Sequence, residues 1–292
     1  MIKDKLSCRK VTQIWSQKVS NLTQSNLEAR WGLGDLIRGA ANIHTACCDL
    51  GLDFELDYSG HPIAQIFAYE LSEKKDNKTI FINFKNHDEL IEYIRVQLAS
   101  DSEIEFMSNG YGVWNDTYVN KFRDFLRPRL VLKDEYKVRA KKLLPEPFTY
   151  EVLHFRLGDS HLIEGVIDLT NDVKKVLEKN INQSTFLITD SLALKNYAVK
   201  NYGVHTLPGN PTHIGLSESL DQLFNTQLEF MLMSSARQIK TYSCYSWISG
   251  FAQSASFVYN IPLINLNKES ALKESVLIYS LKYLVRIIRR FL

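Results

Sequence analysis

Short apolar runs alternate with helical patterns along most of the chain, the rhythm of strands and helices in an α/β protein. After a polar start with no assigned element, "LEARWGLGD" (27–35) predicts a short strand entering a glycine turn. "LIRGAANIHTACCDL" (36–50) predicts a packed helix. "FELDYS", "TIFINF" and "SEIEFMS" read as strands at 54–59, 79–84 and 102–108. Before the last of these, "HDELIEYIRVQLAS" places Leu90, Ile91, Ile94 and Leu98 on one helical face. The rhythm breaks at "FRDFLRPRLVLKDEYKVRAKKLLPEPFTY", where Pro128 marks a turn or helix start, a charged helix follows, and Pro145 and Pro147 stop it.

Beyond the prolines the alternation resumes. Strands are expected at "YEVLHF" (150–155), "TFLITD" (185–190), "QIKTYS" (238–243) and "FVYNIPLINL" (257–266). Helices are expected at "NDVKKVLEKN" (171–180), "SLALKNYAVKNY" (191–202), "SLDQLFNTQLEFMLMSSA" (219–236) and "WISGFAQSA" (247–255). Strands separated by helices form parallel sheets covered on both faces. The expectation is therefore α/β: two Rossmann-like domains, 1–146 and 147–270, facing across a cleft, followed by a helical segment 271–292. Ligands of such sheets lie beyond the carboxyl ends of the strands.

Composition narrows the classes. A net charge of +2 excludes a strongly polybasic, nucleic-acid-coating protein but leaves room for a local basic groove. Cys8, Cys47, Cys48 and Cys244 form no C-x-x-C pair, so neither zinc spacing nor a disulfide framework is present. Reduced thiols fit a cytoplasmic protein. The start "MIKDKLSCRK" lacks the apolar core of a signal peptide, and no run reaches the length of a membrane span. The last stretch, 275–292, mixes aliphatic residues with Lys282, Arg286, Arg289 and Arg290. It fits a helix packed back across the cleft, or a peripheral contact at the inner face of an anionic membrane.

Four clusters carry candidate chemistry. In "HFRLGDS", Arg156 offers a forked cation suited to phosphate oxygens, Gly158 a tight turn, and Asp159 a brace, while His154 can bond a base or ribose. A surface Arg156–Asp159 pair over a buried His154 would leave the same pattern. "FLITDS" ends a strand in Thr189, Asp190 and Ser191, the last two also fitting helix caps. In "FMLMSSARQIKTYSCYSWISGFA", Ser243 and Ser246 lie near an expected helix start, where free amides favour an anion or a serine simply caps. Glu229 falls off the stripe of Leu220, Leu223, Phe224 and Met231, as an ordinary solvated charge would. "RWGLGD" holds Gly32, Gly34 and Asp35, with Arg38 close behind, but Ile37 breaks the dinucleotide pattern G-x-G-x-x-G.

Taken in order, these clusters resemble the GT-B fucosyltransferase superfamily, which includes bacterial alpha-1,2-fucosyltransferases, the rhizobial alpha-1,6 nodulation enzyme and protein O-fucosyltransferases. "GLGD" is similar to the family's G-x-G-N loop, "HFRLGD" to its H-x-R-x-G-D motif, and "FLITDS" to its strand ending in S/T-D-D. "MSSARQIKTYSCYSWISGFA" is similar to the alpha-1,2 group's M-S-x-C-x-x-x-I-x-x-x-S-x-F-S-W-W.

The resemblance implies an inverting, metal-independent transfer of fucose from GDP-fucose to a glycan hydroxyl in surface polysaccharide synthesis. The nucleotide sugar would lie mostly against 147–270 and the acceptor on the side of 1–146; Arg156 would then contact the β-phosphate, His154 the nucleoside, and Glu229 guanine N1 and N2. Ser246 and the backbone around Trp247 would complete the phosphate site, with Gly32, Gly34, Gly158, Asp159, Asp190, Ser243 and Tyr245 around them. Asp35 stands where most relatives carry asparagine, and could act as base on the acceptor. Ser191 replaces a second aspartate and Ile248 a second tryptophan. A different nucleotide-sugar donor, or a non-catalytic nucleotide- or glycan-binding paralogue, fits the same departures.

Overall fold

Two parallel sheets account for the alternation. The computed structural model describes residues 10–15, 32–69, 79–82, 86–100, 103–108, 117–158, 169–211, 219–245 and 247–269. Strands β1 (Lys10–Ile14), β2 (Asp53–Asp57), β3 (Thr79–Ile82) and β4 (Glu103–Ser108) pair in the order β2-β1-β4-β3, every pair parallel. β1 comes from the polar start to which no element had been assigned. Its "KVTQI" alternates partly exposed Lys10, Thr12 and Ile14 with buried Val11 and Gln13, so the period of two is carried partly by a buried glutamine. The tail of "LEARWGLGD" is not a strand end: Gly32 precedes helix α1 (Leu33–Leu50), which starts three residues before the expected helix. Residues 27–31 lie outside the described residues.

Helix α1 is buried on two sides because the residues on its opposite faces are small or apolar. One side packs Ile43, Ala46 and Cys47 with Val11 and with Leu90, Ile94 and Leu98 of helix α2 (His87–Ser100). The other carries Leu33, Ile37, Ala40 and Ala41 into a core shared with the second half of the chain. Helix α3 (Val119–Leu126), a 3-10 turn at Arg127–Leu130 containing Pro128, and helix α4 (Asp134–Leu143) follow. The charged α4 ends just before Pro145, as the prolines predict.

The second sheet holds β5 (Glu151–Arg156), β6 (Thr185–Thr189), β7 (His205–Thr206), β8 (Gln238–Ser243) and β9 (Leu263–Asn265), ordered β7-β6-β5-β8-β9 and again all parallel. Helices α5 (Asn171–Asn180), α6 (Leu192–Tyr202), α7 (Leu220–Ser234) and α8 (Gly250–Tyr259) make the connections. The expected strand 257–266 is shorter than its apolar run. α8 continues through Tyr259 because Ala252, Ala255 and Val258 are buried on one helical face, and it ends at Asn260 in the left-handed conformation.

α8 joins the two halves. At its start, the position a Cβ would take on Gly34 lies 2.3 Å from the carbonyl carbon of Gly250, so only glycine permits this α1–α8 approach. Ser254 Oγ then donates to the Gly34 carbonyl at 3.1 Å. At its far end, Arg123 Nε donates to the Phe257 carbonyl at 2.6 Å and Arg127 Nε to the Val258 carbonyl at 2.9 Å. These arginines satisfy carbonyls that the helix end leaves without intrahelical partners. Among the described residues no helix is long and apolar enough to cross a membrane, and 275–292 lie outside them.

Candidate functional site

A cavity of about 710 Å³ opens at the carboxyl ends of β5 and β6, where open parallel sheets bind ligands, and is roofed by the starts of α1 and α8. Arg156 is the last residue of β5 and lines it. Its Nη1 donates to Asp190 Oδ2 at 2.6 Å, and Asp190 in turn accepts the amides of Leu157 (2.7 Å) and Gly158 (3.0 Å). One carboxylate beyond the neighbouring strand thus fixes both the guanidinium and the turn that follows it, through charge-assisted bonds. Asp190 braces Arg156 and the turn, the role that the sequence offered to Asp159. Asp159 lies outside the described residues. Gly158 does not line the cavity: it sits at φ +111°, and a Cβ there would lie 3.2 Å from Tyr245 Oη. Ser191 caps α6, its Oγ accepting the Leu194 amide.

His154 is both buried and on the cavity wall. Its Nδ1 lies 3.0 Å from Thr241 Oγ1. Burial, with Arg156 nearby, pushes its pKa down to about 3, so the ring is neutral and presents hydrogen-bonding nitrogens rather than charge. Glu229 is not a solvated charge. α7 buries Leu223, Phe224, Leu228, Phe230, Leu232 and Met233, so little of its surface faces water. The face holding Glu229 turns into the cavity. Burial pushes the carboxyl up to about 8; Lys195 opposes that shift and the Asp190 charge adds to it. Lys195 itself donates to the Leu207 and Gly209 carbonyls just past β7.

Two helices that begin at this cavity have no side-chain cap. α1 starts after Gly32 and α8 after Ser249, and neither N-cap residue makes a side-chain capping bond. Gly32, Leu33 and Gly34 from one start, and Ser249, Gly250 and Phe251 from the other, line the same cavity. Free amides and the positive end of the helix dipole favour an anion there. Asp35 and Arg38 also line it, joined by a 2.5 Å ion pair. Burial raises the Asp35 pKa, while Arg38 and Arg156 pull it back.

Ser243 ends β8, as the strand expected at 238–243 does. Its amide and carbonyl are held by Asn267, its Oγ accepts the Tyr245 amide, and it does not line the cavity. Tyr245 and Trp247 do, their rings stacked 4.8 Å apart and 6° from parallel. Ser246 lies outside the described residues. The structure therefore brings Gly32, Gly34, Asp35, His154, Arg156, Asp190, Glu229, Tyr245 and Trp247 to one cavity and leaves Gly158 and Ser243 behind it. It adds Arg38 and Thr226, neither of which had been assigned a role. The i,i+3 spacing of Asp35 and Arg38 was visible in the sequence. Nothing pointed to Thr226, or to Asn267 behind the wall.

No protein-family model matches the chain, and no curated protein does. Among solved structures, fucosyltransferase NodZ from Bradyrhizobium aligns over 88% of this chain and 96% of its own, with a TM-score of 0.52 at 14% identity. NodZ alpha-1,6-fucosyltransferase soaked with GDP-fucose aligns over 88% and 94%, with a TM-score of 0.52 at 15% identity. The fold is GT-B. A mutant of Arabidopsis thaliana FUT1 in complex with GDP aligns over 90% of this chain and 72% of its own, with a TM-score of 0.50 at 11% identity. In GT-B terms, the first sheet is the N-terminal half and the second the C-terminal half. The cavity lies at their junction, beside the α1–α8 contact.

Proposed function

We propose that the chain is an inverting glycosyltransferase that moves fucose from GDP-fucose to a hydroxyl of a glycan acceptor. The observation that carries this reading is the charge layout of one cavity. Two uncapped helix starts, Arg38 and Arg156 gather positive potential in a cavity that the Glu229 carboxyl also lines. A nucleoside diphosphate leaving group develops negative charge as the sugar bond breaks, and fixed donors stabilise it without reorganising. These donors supply the charge stabilisation that a divalent ion supplies elsewhere, which supports a metal-independent reaction.

Guanine presents two adjacent N–H donors, N1 and N2, that match one carboxylate; uracil and cytosine do not. His154, neutral and anchored by Thr241, faces the same space and can bond the nucleoside. In this reading Asp35, which lines the cavity, takes the acceptor proton. Its burial raises its basicity, and Arg38 holds the charged form in place. A setting in cytoplasmic surface-polysaccharide synthesis is part of the proposal and rests on the sequence resemblance.

Thermal shift with GDP, GDP-fucose, UDP and CMP tests the donor assignment. Selective stabilisation by the guanosine compounds is expected, and selectivity for UDP or CMP would refute it. Arg156→Ala is expected to abolish transfer while leaving the far-UV circular dichroism unchanged. A fully active variant would remove the diphosphate assignment.

A further inference from the structure

Trp247 is the most exposed of the large apolar side chains in the described residues, at 63%, yet it lines the cavity rather than an outer face. Its indole is not loose: Tyr245 stacks on one face. Tyr245 is itself fixed by the hydrogen bond that its backbone N–H donates to Ser243 Oγ and by Asn267 Nδ2 donating to its carbonyl at 3.0 Å. An exposed aromatic plane, braced from behind and facing a solvent-filled cavity, covers no core. Its open side is built for a flat ligand.

Topology says which ligand. β6, β5 and β8 lie side by side, about 4.8 Å apart. Asp190 follows β6, Arg156 ends β5, and Tyr245 stands two residues beyond β8. Glu229 feels the charges of Lys195 and Asp190, both from the β6 side. Strand order therefore sets Asp190, Arg156 and the aromatic pair in succession along the cavity, with Glu229 close enough to Asp190 to feel its charge. With guanine at Glu229 and the diphosphate at Arg156, the aromatic end lies past the leaving group, where the transferred sugar and its acceptor meet.

We propose that the Tyr245–Trp247 stack is the platform for the pyranose ring of the acceptor, presenting one of its hydroxyls towards Asp35. The C–H bonds on one face of a pyranose are weakly positive and meet the negative face of the indole. The ring's hydroxyls stay at its rim, where Asp35, Gln253 and water can bond them. This deepens the proposed transfer and rests on the guanosine reading of Glu229.

The test uses the full chain, saturated with GDP, and three β-linked disaccharides as probes: lactose, cellobiose and N,N′-diacetylchitobiose. Saturation-transfer NMR reads sugar binding, and calorimetry reads GDP binding separately. At least one disaccharide is expected to bind with strongest transfer to the C–H protons of one ring face. Trp247→Ala should weaken it about tenfold or more, Trp247→Phe should largely restore it, and GDP affinity should stay within about threefold. Equal sugar binding by Trp247→Ala, or no binding of any of the three to wild type, would overturn the platform. So would a GDP affinity that falls with the sugar affinity, which would place the nucleotide on the stack. Failure of wild type to bind GDP at all would instead bring down the donor reading first.

Discussion

Glu229 makes donor binding pH-dependent in a direction that can be worked out beforehand. To accept from guanine N1 and N2 the carboxyl must be ionised, but burial holds its pKa at about 8. At pH 7 about nine in ten molecules carry the proton, and removing it costs about 1.4 kcal/mol. Raising the pH to 8.5 ionises about three quarters of them, so GDP should bind about eightfold more tightly. The terminal phosphate of GDP has largely ionised below this window and adds little. Calorimetry in buffers of different ionisation enthalpy should find about 0.8 protons released per GDP at pH 7.5. Glu229→Gln should release almost none and should lose the eightfold dependence. An affinity flat from pH 7 to 8.5 with no proton release by wild type would refute the argument. Carboxylate and guanine would then not be partners.

Three further outcomes follow from the geometry. Asp190→Asn removes the charge that holds Arg156 and two turn amides, so donor-dependent turnover should fall about 10–100-fold with the fold retained; wild-type kinetics would refute the brace. Gly34→Ala drives a methyl into the Gly250 backbone, and chemical denaturation should show a loss of about 1–3 kcal/mol, whereas an unchanged midpoint would mean that the helices part freely. For Glu151, burial alone would raise the pKa, but bonds from Lys240 and Arg237 hold it at about 2, below the usual 4.5. Its stabilisation is present above pH 4.5 and is lost as the pH falls through 2. Glu151→Gln should therefore cost about 1–3 kcal/mol at pH 7, and the gap from wild type should narrow in acid.

Periodicity located most elements because their buried faces are apolar. α2, α5 and β8 match their expected bounds, and Leu90, Ile94 and Leu98 are the buried stripe that their spacing predicts. β1 escaped because one of its two buried positions is Gln13, which a hydrophobic count reads as surface. The same rule failed for Glu229 in reverse. A helix pressed between a core and a cavity has two inward sides, and spacing reveals only the apolar one. The site motifs were legible as a set of strand ends, but not the pairings among them. Asp190 reaches Arg156 because β6 lies beside β5, a fact of sheet order that no local pattern contains. Arg38 was visible, but its place beneath the start of α8 depends on a helix some 210 residues later in the chain.

α8 is a strut shared by both halves. Its ten residues span about 15 Å, with Arg123 of α3 and Arg127 of the turn after it gripping one end and the uncapped amides that line the cavity at the other. Any rocking of one half against the other must drag this strut, and with it the very groups that would hold the leaving group. Gripping the donor and setting the angle between the lobes are then a single adjustment, so nucleotide loading should be felt in the N-terminal lobe before any acceptor arrives.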